Sequence, residues 1–142
     1  MSETPASGQR VVAYTDGASR GNPGPSSYGI VLYDTAGAEV HRGSRALGLA
    51  TNNQAEYQGA IAALEAALGL GAAEVELRMD SELIVRQISG RYKVRNAKLI
   101  PLHKRMLALR ERFRRLTVVH VPREQNRVAD GLANEALDRA DA

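Results

Sequence analysis

Strand-like segments broken by tight turns fill the chain up to about residue 50, and apolar residues recur at helical spacing directly after it; this change of period at Thr51 most limits the possible folds. Before it, "RVVAYTDG" places Val12, Tyr14 and Asp16 on one side of a strand and Val11, Ala13 and Thr15 on the other. "NPGP" suits a type II turn centred on Pro23 and Gly24, because proline presets the first φ and glycine accepts the positive second one. "YGIVLYD" then returns, and a turn at "TAG" leads into "AEVHRGSRAL", so three consecutive antiparallel strands are expected. Beyond the switch, Tyr57, Ile61, Leu64 and Leu68 mark one face of a helix. Thr51 and Gln54 open it as a T-x-x-Q capping box, and Gly69 and Gly71 end it.

From there strands and helices take turns. "EVELRMD" is a strand with Val75, Leu77 and Met79 on one side, ending in Asp80 and the helix cap Ser81. A short helix runs to about Ser89, where Gly90 stops it. Leu102, Met106, Leu109 and Phe113 form the stripe of a third helix, whose first turn accommodates Pro101. "RLTVVHV" is a fifth strand, and Asn126 is placed to cap a last helix that turns Ala129, Leu132, Ala133, Ala136 and Leu137 inward. Gly131 in that helix costs about 1 kcal/mol against alanine, a cost that close backbone packing or a strained site would explain. Helices between the later strands imply parallel crossovers. The expected fold is therefore α/β, a five-stranded mixed sheet of three antiparallel strands then two parallel ones, flanked by helices. Residues 1–9 are expected as a flexible N-terminal tail, 10–138 as the domain and 139–142 as a C-terminal tail.

A chain of 142 residues suffices for one core. No run approaches the roughly 18 consecutive apolar residues of a spanning helix, and "MSETPASGQ" lacks the basic start and apolar stretch of a signal peptide, so a cytoplasmic protein off the membrane is expected. The absence of cysteine excludes disulfides and thiolate zinc sites. No dimer signal is visible, and a monomer is expected. Charge is unevenly spread: between Arg86 and Arg115 stand eleven lysines and arginines against the single acid Glu111, while the rest of the chain is acidic on balance. Such asymmetry points to a polyanion-binding face beside a carboxylate-rich region.

Four acids stand apart from the solvated ones. Asp16 lies on a central strand, Asp80 at a strand's C-terminal end, and Glu56 and Asp130 in first turns of helices beside their apolar stripes. Ligand crevices of open α/β sheets form at such strand ends. Singly, Asp16 also suits a turn, Asp80 a helix cap, and Glu56 and Asp130 the favourable field of a helix N-terminus. Clustered, the four would repel one another unless cations neutralised them. Hard oxygen ligands without cysteine or histidine select Mg²⁺ or Mn²⁺, and two such ions roughly 4 Å apart clamp a phosphodiester undergoing in-line attack. That is the chemistry of a nuclease.

"YTDGASRGNPGPSSYG", "TNNQAEYQGAI", "MDSELIVRQI" and "REQNRVADGLANEAL" resemble, in order and spacing, the successive signature segments of the ribonuclease H type 1 family, across about residues 10 to 138. The resemblance implies the ribonuclease H-like fold and a two-metal endonuclease that hydrolyses the RNA strand of an RNA/DNA hybrid, leaving 5′-phosphate and 3′-hydroxyl ends. It places Asp16, Glu56, Asp80 and Asp130 on the family's metal-binding acids. By the same resemblance Asp16 bridges both ions, Asp80 and Asp130 hold the ion that activates water, and Glu56 holds the ion on the leaving-group side. Asn22, Asn52 and Asn53 match positions touching the substrate, and Thr51 and Asn96 match part of a pocket gripping a DNA phosphate. Short amide and hydroxyl side chains suit a wide minor groove and its 2′-hydroxyls, read without base sequence, and the glycines after Asp16 are expected to let a polynucleotide backbone approach.

Two departures stand out. The histidine that many members carry in the loop before the last aspartate is absent from "PREQN"; His120 sits earlier, on the strand, and reads as structural. Arg123 is the local substitute, able to contact phosphate but not to act as an acid near neutral pH. The family's basic protrusion is shortened, since "SGRYKVRNAKL" leaves little room for another helix, although Arg91, Lys93, Arg95 and Lys98 remain to meet phosphates. A non-catalytic nucleic-acid-binding module of the same fold and an integrase-like strand-transfer enzyme are the alternatives. The four acids weigh against the first, and "TNNQAEY" weighs against the second.

Overall fold

The alternation in "RVVAYTDG" becomes the two faces of β1 (Arg10–Ser19), the middle strand of a five-stranded sheet in the computed structural model, which describes residues 9–141. Strand order is β3-β2-β1-β4-β5, with β2 (Gly24–Tyr33) and β3 (Glu39–Ala50) antiparallel, and β4 (Glu74–Met79) and β5 (Arg115–His120) parallel to β1. The mixed sheet is as expected. The parallel register pairs Thr15 with Met79, so Asp16 and Asp80 follow it side by side on neighbouring strands.

Helices cover both faces. Val11, Ala13, Ile30, Leu32, Val75, Leu77 and Met79 form a core with α1 (Asn52–Gly69), α2 (Glu82–Ile88) and α3 (Ile100–Arg110). Burying each such large apolar side chain contributes about 1.5–3 kcal/mol. The Tyr57 hydroxyl, inside this core, donates to Gln87 Oε1 at 2.7 Å. Because strand residues alternate, Ser27, Gly29 and Val31 face the other way. There α4 (Arg127–Asp141) packs against them, with Ser27 Oγ donating to the Ala133 carbonyl at 2.6 Å. A Cβ on Gly29 would stand 2.2 Å from the Ala129 carbonyl oxygen, so only glycine lets α4 lie this near the sheet.

Helix ends follow the sequence signals. Thr51 Oγ1 accepts from the Gln54 N–H at 3.1 Å while Gln54 Oε1 accepts from the Thr51 N–H at 2.8 Å, the reciprocal capping box. Gly71 (φ +77°) closes α1: its N–H reaches the Leu68 carbonyl and that of Ala72 reaches Ala67, the paired bonds of a Schellman motif.

Several expectations are corrected. Gly24 lacks the positive φ of a type II turn; Gly21 carries it (φ +105°), the Asn22–Pro23 peptide is cis, and Gly24 already lies in β2. A Cβ on Gly24 would stand 2.4 Å from the Arg20 carbonyl oxygen, which crowds the turn. Phe113 lies beyond α3 and reaches the core from the following turn. Nothing approaches Gly131, which is exposed, so close packing does not explain it. Leu132 is half-buried, and Ala129, Ala133, Ala136 and Leu137 are buried as expected. Residues 139–141 continue α4, and Arg20 pairs with Asp138 at 2.5 Å and with Asp141 at 2.8 Å along it. Of the N-terminal tail, residues 1–8 lie outside the described residues.

Candidate active site

β1 and β4 deliver Asp16 and Asp80 to the same end of the sheet, and α1 and α4 bring Glu56 and Asp130 from opposite faces; Asp130 lies in the first turn of α4 as expected, whereas Glu56 lies just beyond the first turn of α1, which holds no acid. Asp16, Glu56, Asp80 and Asp130 all line one open cleft of about 430 Å³, with Gly17, Ala18, Ser19, Asn52, Arg123 and Asn134. Asp16, Glu56 and Asp80 each offer an oxygen such that these atoms lie within 4.8 Å of one another.

Gly17 makes this convergence sterically feasible. A Cβ there would sit 2.5 Å from the Glu56 nitrogen and 2.7 Å from the Ala55 carbonyl carbon. The space expected for a polynucleotide backbone is thus taken by α1 itself. In return the Gly17 N–H donates to Glu56 Oε1 at 2.9 Å, which orients the buried carboxylate and leaves Glu56 Oε2 buried with no hydrogen-bond partner among the described residues.

The cluster is electrostatically unfavourable without a counterion. Burial, first of all, pushes the Asp16 carboxyl well above the ordinary carboxylate range; the negative charge of Glu56, a hydrogen bond with Asp130 and the charge of Asp80 push the same way. Burial likewise raises Glu56, opposed by the Gly17 N–H and reinforced by Asp80. An oxygen-only donor set, an orphaned buried carboxylate oxygen and acids driven toward protonation together fit a hard divalent cation.

The substrate-contact candidates divide. Asn52 lines the cleft, and its N–H is held at 3.0 Å by Asn22 Oδ1, which ties the β1–β2 turn to the start of α1. Thr51 stands beside it as the cap, and Asn53 is half-buried in the same first turn. Asn96 lies apart, exposed in the connection between α2 and α3, where its Oδ1 accepts from the Lys98 N–H at 2.8 Å. That connection, residues 89–99, contains no helix and exposes Arg91, Lys93, Arg95 and Lys98. Arg123 opens a short 3-10 turn (Arg123–Gln125) and lines the cleft, whereas His120 is exposed outside it, not built into the core.

Two asparagines were not read as part of the site. Asn126 is almost fully buried, and its Nδ2 donates to the Thr15 carbonyl at 2.8 Å and to Asp80 Oδ2 at 3.2 Å instead of capping α4. Asn134 contacts Asp130, its Nδ2 lying 3.0 Å from the main-chain oxygen and 3.4 Å from Oδ1. Its spacing of four residues from Asp130, one helical turn, was the available signal.

Residues 14–136 match the family model described as reverse transcriptase-like. The chain is 48% identical over 136 residues to ribonuclease HI of Halobacterium salinarum, covering 96% of this chain and 68% of that one. It is 48% identical over 132 residues to a bifunctional protein of Mycobacterium tuberculosis, covering 92% of this chain but only 36% of that protein's length. The crystal structure of LC11-RNase H1 in complex with RNA/DNA hybrid superposes with a TM-score of 0.89 at 45% identity, covering 93% of this chain and 99% of that one.

Proposed function

The chain belongs to the ribonuclease H type 1 family, and from that premise we propose that it is an endoribonuclease that hydrolyses the RNA strand of RNA/DNA hybrids. The observation that carries this reading is the approach of Asp16, Glu56 and Asp80 to within 4.8 Å of one another in a cleft that Asp130 also lines. A relative at 45% identity that was crystallised with RNA/DNA hybrid supports the substrate class.

In this reading Asp16, Glu56, Asp80 and Asp130 would hold two Mg²⁺ or Mn²⁺ ions, Asp16 between them. When bound, such ions polarise the phosphate and lower the pKa of a coordinated water. A water oxygen attacks phosphorus and the bond to O3′ breaks, leaving 5′-phosphate and 3′-hydroxyl ends. The chain's own groups prepare this step. The Gly17 N–H fixes one Glu56 oxygen, and the other, buried without a partner among the described residues, is left for an ion. Arg123 offers a permanent positive charge to a phosphate at the cleft.

Hydrogen bonding leaves donors for the substrate. Asn22 and Asn96 use their amide oxygens within the protein and, among the described residues, keep their NH₂ groups, and the Thr51 hydroxyl accepts from the Gln54 N–H and there retains its proton. Asn22, Asn52 and Asn53 are assigned to the minor groove and its 2′-hydroxyls, and Thr51 and Asn96 to a DNA-strand phosphate.

Strand-labelled RNA/DNA, RNA/RNA and DNA/DNA duplexes, incubated with each metal in turn, test the reading. Cleavage is expected in the RNA strand of the hybrid, to stop with EDTA, and to be lost in Asp16→Asn while hybrid binding persists. An intact hybrid under both metals, or cleavage surviving Asp16→Asn, contradicts it.

A further inference from the structure

We propose that Asn126 is the positioning residue of the carboxylate cluster, setting Asp80 through its side chain and Asp130 through its main chain; this rests on the reading of those acids as metal ligands. Asn126 occupies the junction of three elements that supply the cluster. It precedes α4, it touches the last paired residue of β1 in the parallel register, and it reaches the carboxylate that follows β4.

The chemistry of its neighbours fixes the orientation of the amide. The Thr15 carbonyl and Asp80 Oδ2 are both acceptors, so only the NH₂ end can face them, and its two protons are spent there at 2.8 Å and 3.2 Å. The opposite end, Oδ1, is buried with no partner among the described residues. An unmet acceptor in a buried site costs about 1–3 kcal/mol, so the residue is not placed there for the stability of its own amide. An ionised aspartate could not donate at all, and a protonated one could serve only one of the two acceptors; an apolar residue would leave both Thr15 and Asp80 unserved.

Its backbone extends the same control. The Asp130 N–H donates to the Asn126 carbonyl at 3.0 Å, and the Asn126 N–H donates to the Arg123 carbonyl at 2.9 Å. One buried residue thereby couples the Asp80 carboxylate, the first turn of α4 that carries Asp130, and the short turn that brings Arg123 to the cleft. Partners that orient metal-binding groups matter because a carboxylate held in one direction loses less freedom on binding the ion.

The test is Mg²⁺ and Mn²⁺ titration by calorimetry, alongside steady-state cleavage, for wild type, Asn126→Ala, Asn126→Asp, Asp80→Asn and Asp80→Asn with Asn126→Ala. Metal affinity is expected to fall about 10- to 100-fold in Asn126→Ala, with kcat reduced at fixed metal and KM for the hybrid little changed. In the Asp80→Asn background, Asn126→Ala should add much less than it does in wild type, because the carboxylate that Asn126 orients is no longer there to bind the ion. Asn126→Asp keeps the volume and serves if the alanine variant does not fold; it should lose metal affinity or need a higher metal concentration for half-maximal rate. Metal affinity unchanged in folded Asn126 variants, or full additivity with Asp80→Asn, overturns the inference while leaving the nuclease reading in place. A wild type that binds neither metal and cleaves no hybrid overturns both.

Discussion

Gly17 shows how much of the site depends on one missing methyl group. It is not a turn glycine; it lies within β1, where its lack of a Cβ admits the backbone of α1 at Ala55 and Glu56. Gly17→Ala would press a methyl into backbone that cannot yield as a side-chain end does, and overpacking of this kind costs about 1–3 kcal/mol. The expected outcome is a lower Tm together with loss of hybrid cleavage, since α1 moves away and carries Glu56 off its Gly17 N–H. A variant with wild-type rate and unchanged Tm would show that the contact is dispensable. The acid Asp16 was legible in the sequence from its place on an alternating central strand. The steric role of its neighbour was not, because nothing local distinguishes a glycine that admits a ligand from one that admits a helix.

At the level of the element, α4 contrasts two glycines. Gly131 is exposed within the helix with open space around its Cα, so Gly131→Ala removes unfolded-state freedom without a clash and should stabilise by about 1 kcal/mol, read as a higher denaturant midpoint at unchanged slope. Gly29 lies opposite on β2, and a Cβ there meets the Ala129 carbonyl and the Ala133 nitrogen at 2.2 and 2.7 Å. Gly29→Ala should therefore push α4 outward, lower the midpoint, and reduce cleavage because Asp130 rides on that helix. The reverse ranking of the two variants would refute this account of how α4 is seated. Propensity alone pointed to Gly131 as the packing glycine; contact across the sheet assigns that work to Gly29.

Across the whole molecule, the carboxylate cluster links folding to pH and to cations. In the metal-free protein Asp16 and Glu56 hold their protons above the ordinary carboxylate range, chiefly through burial. The folded state then binds more protons than the unfolded one between that range and the raised values, so stability is fully present below the range and falls as pH rises through neutral. A cation bound only by the folded state offsets the repulsion and adds stability by mass action. The gain in Tm on adding Mg²⁺ should accordingly be larger at about pH 8 than at about pH 5. Equal gains at both values, with binding saturated, would mean that the four acids do not share the ion. Among the described residues no helix is long and apolar enough to cross a membrane.

The sequence by itself determined the elements and the chemical cast. Periods of two and 3.6, the T-x-x-Q box, and Gly71 after α1 are short-range signals, and short-range sterics and hydrogen bonds decide such elements wherever the chain goes. It also marked Asp16, Glu56, Asp80 and Asp130 as unlike the other acids, Asp16 by its place on a central strand, Asp80 by its place at a strand's end, and Glu56 and Asp130 by their places near helix starts beside apolar stripes. Tertiary structure alone decided that Asn126 serves Asp80 and not a helix end, that Gly17 and Gly29 are the close contacts, and that Arg20 meets Asp138 and Asp141 at the far end of α4. Those outcomes turn on distances between residues up to 121 positions apart, and no local preference encodes which distant partner will arrive.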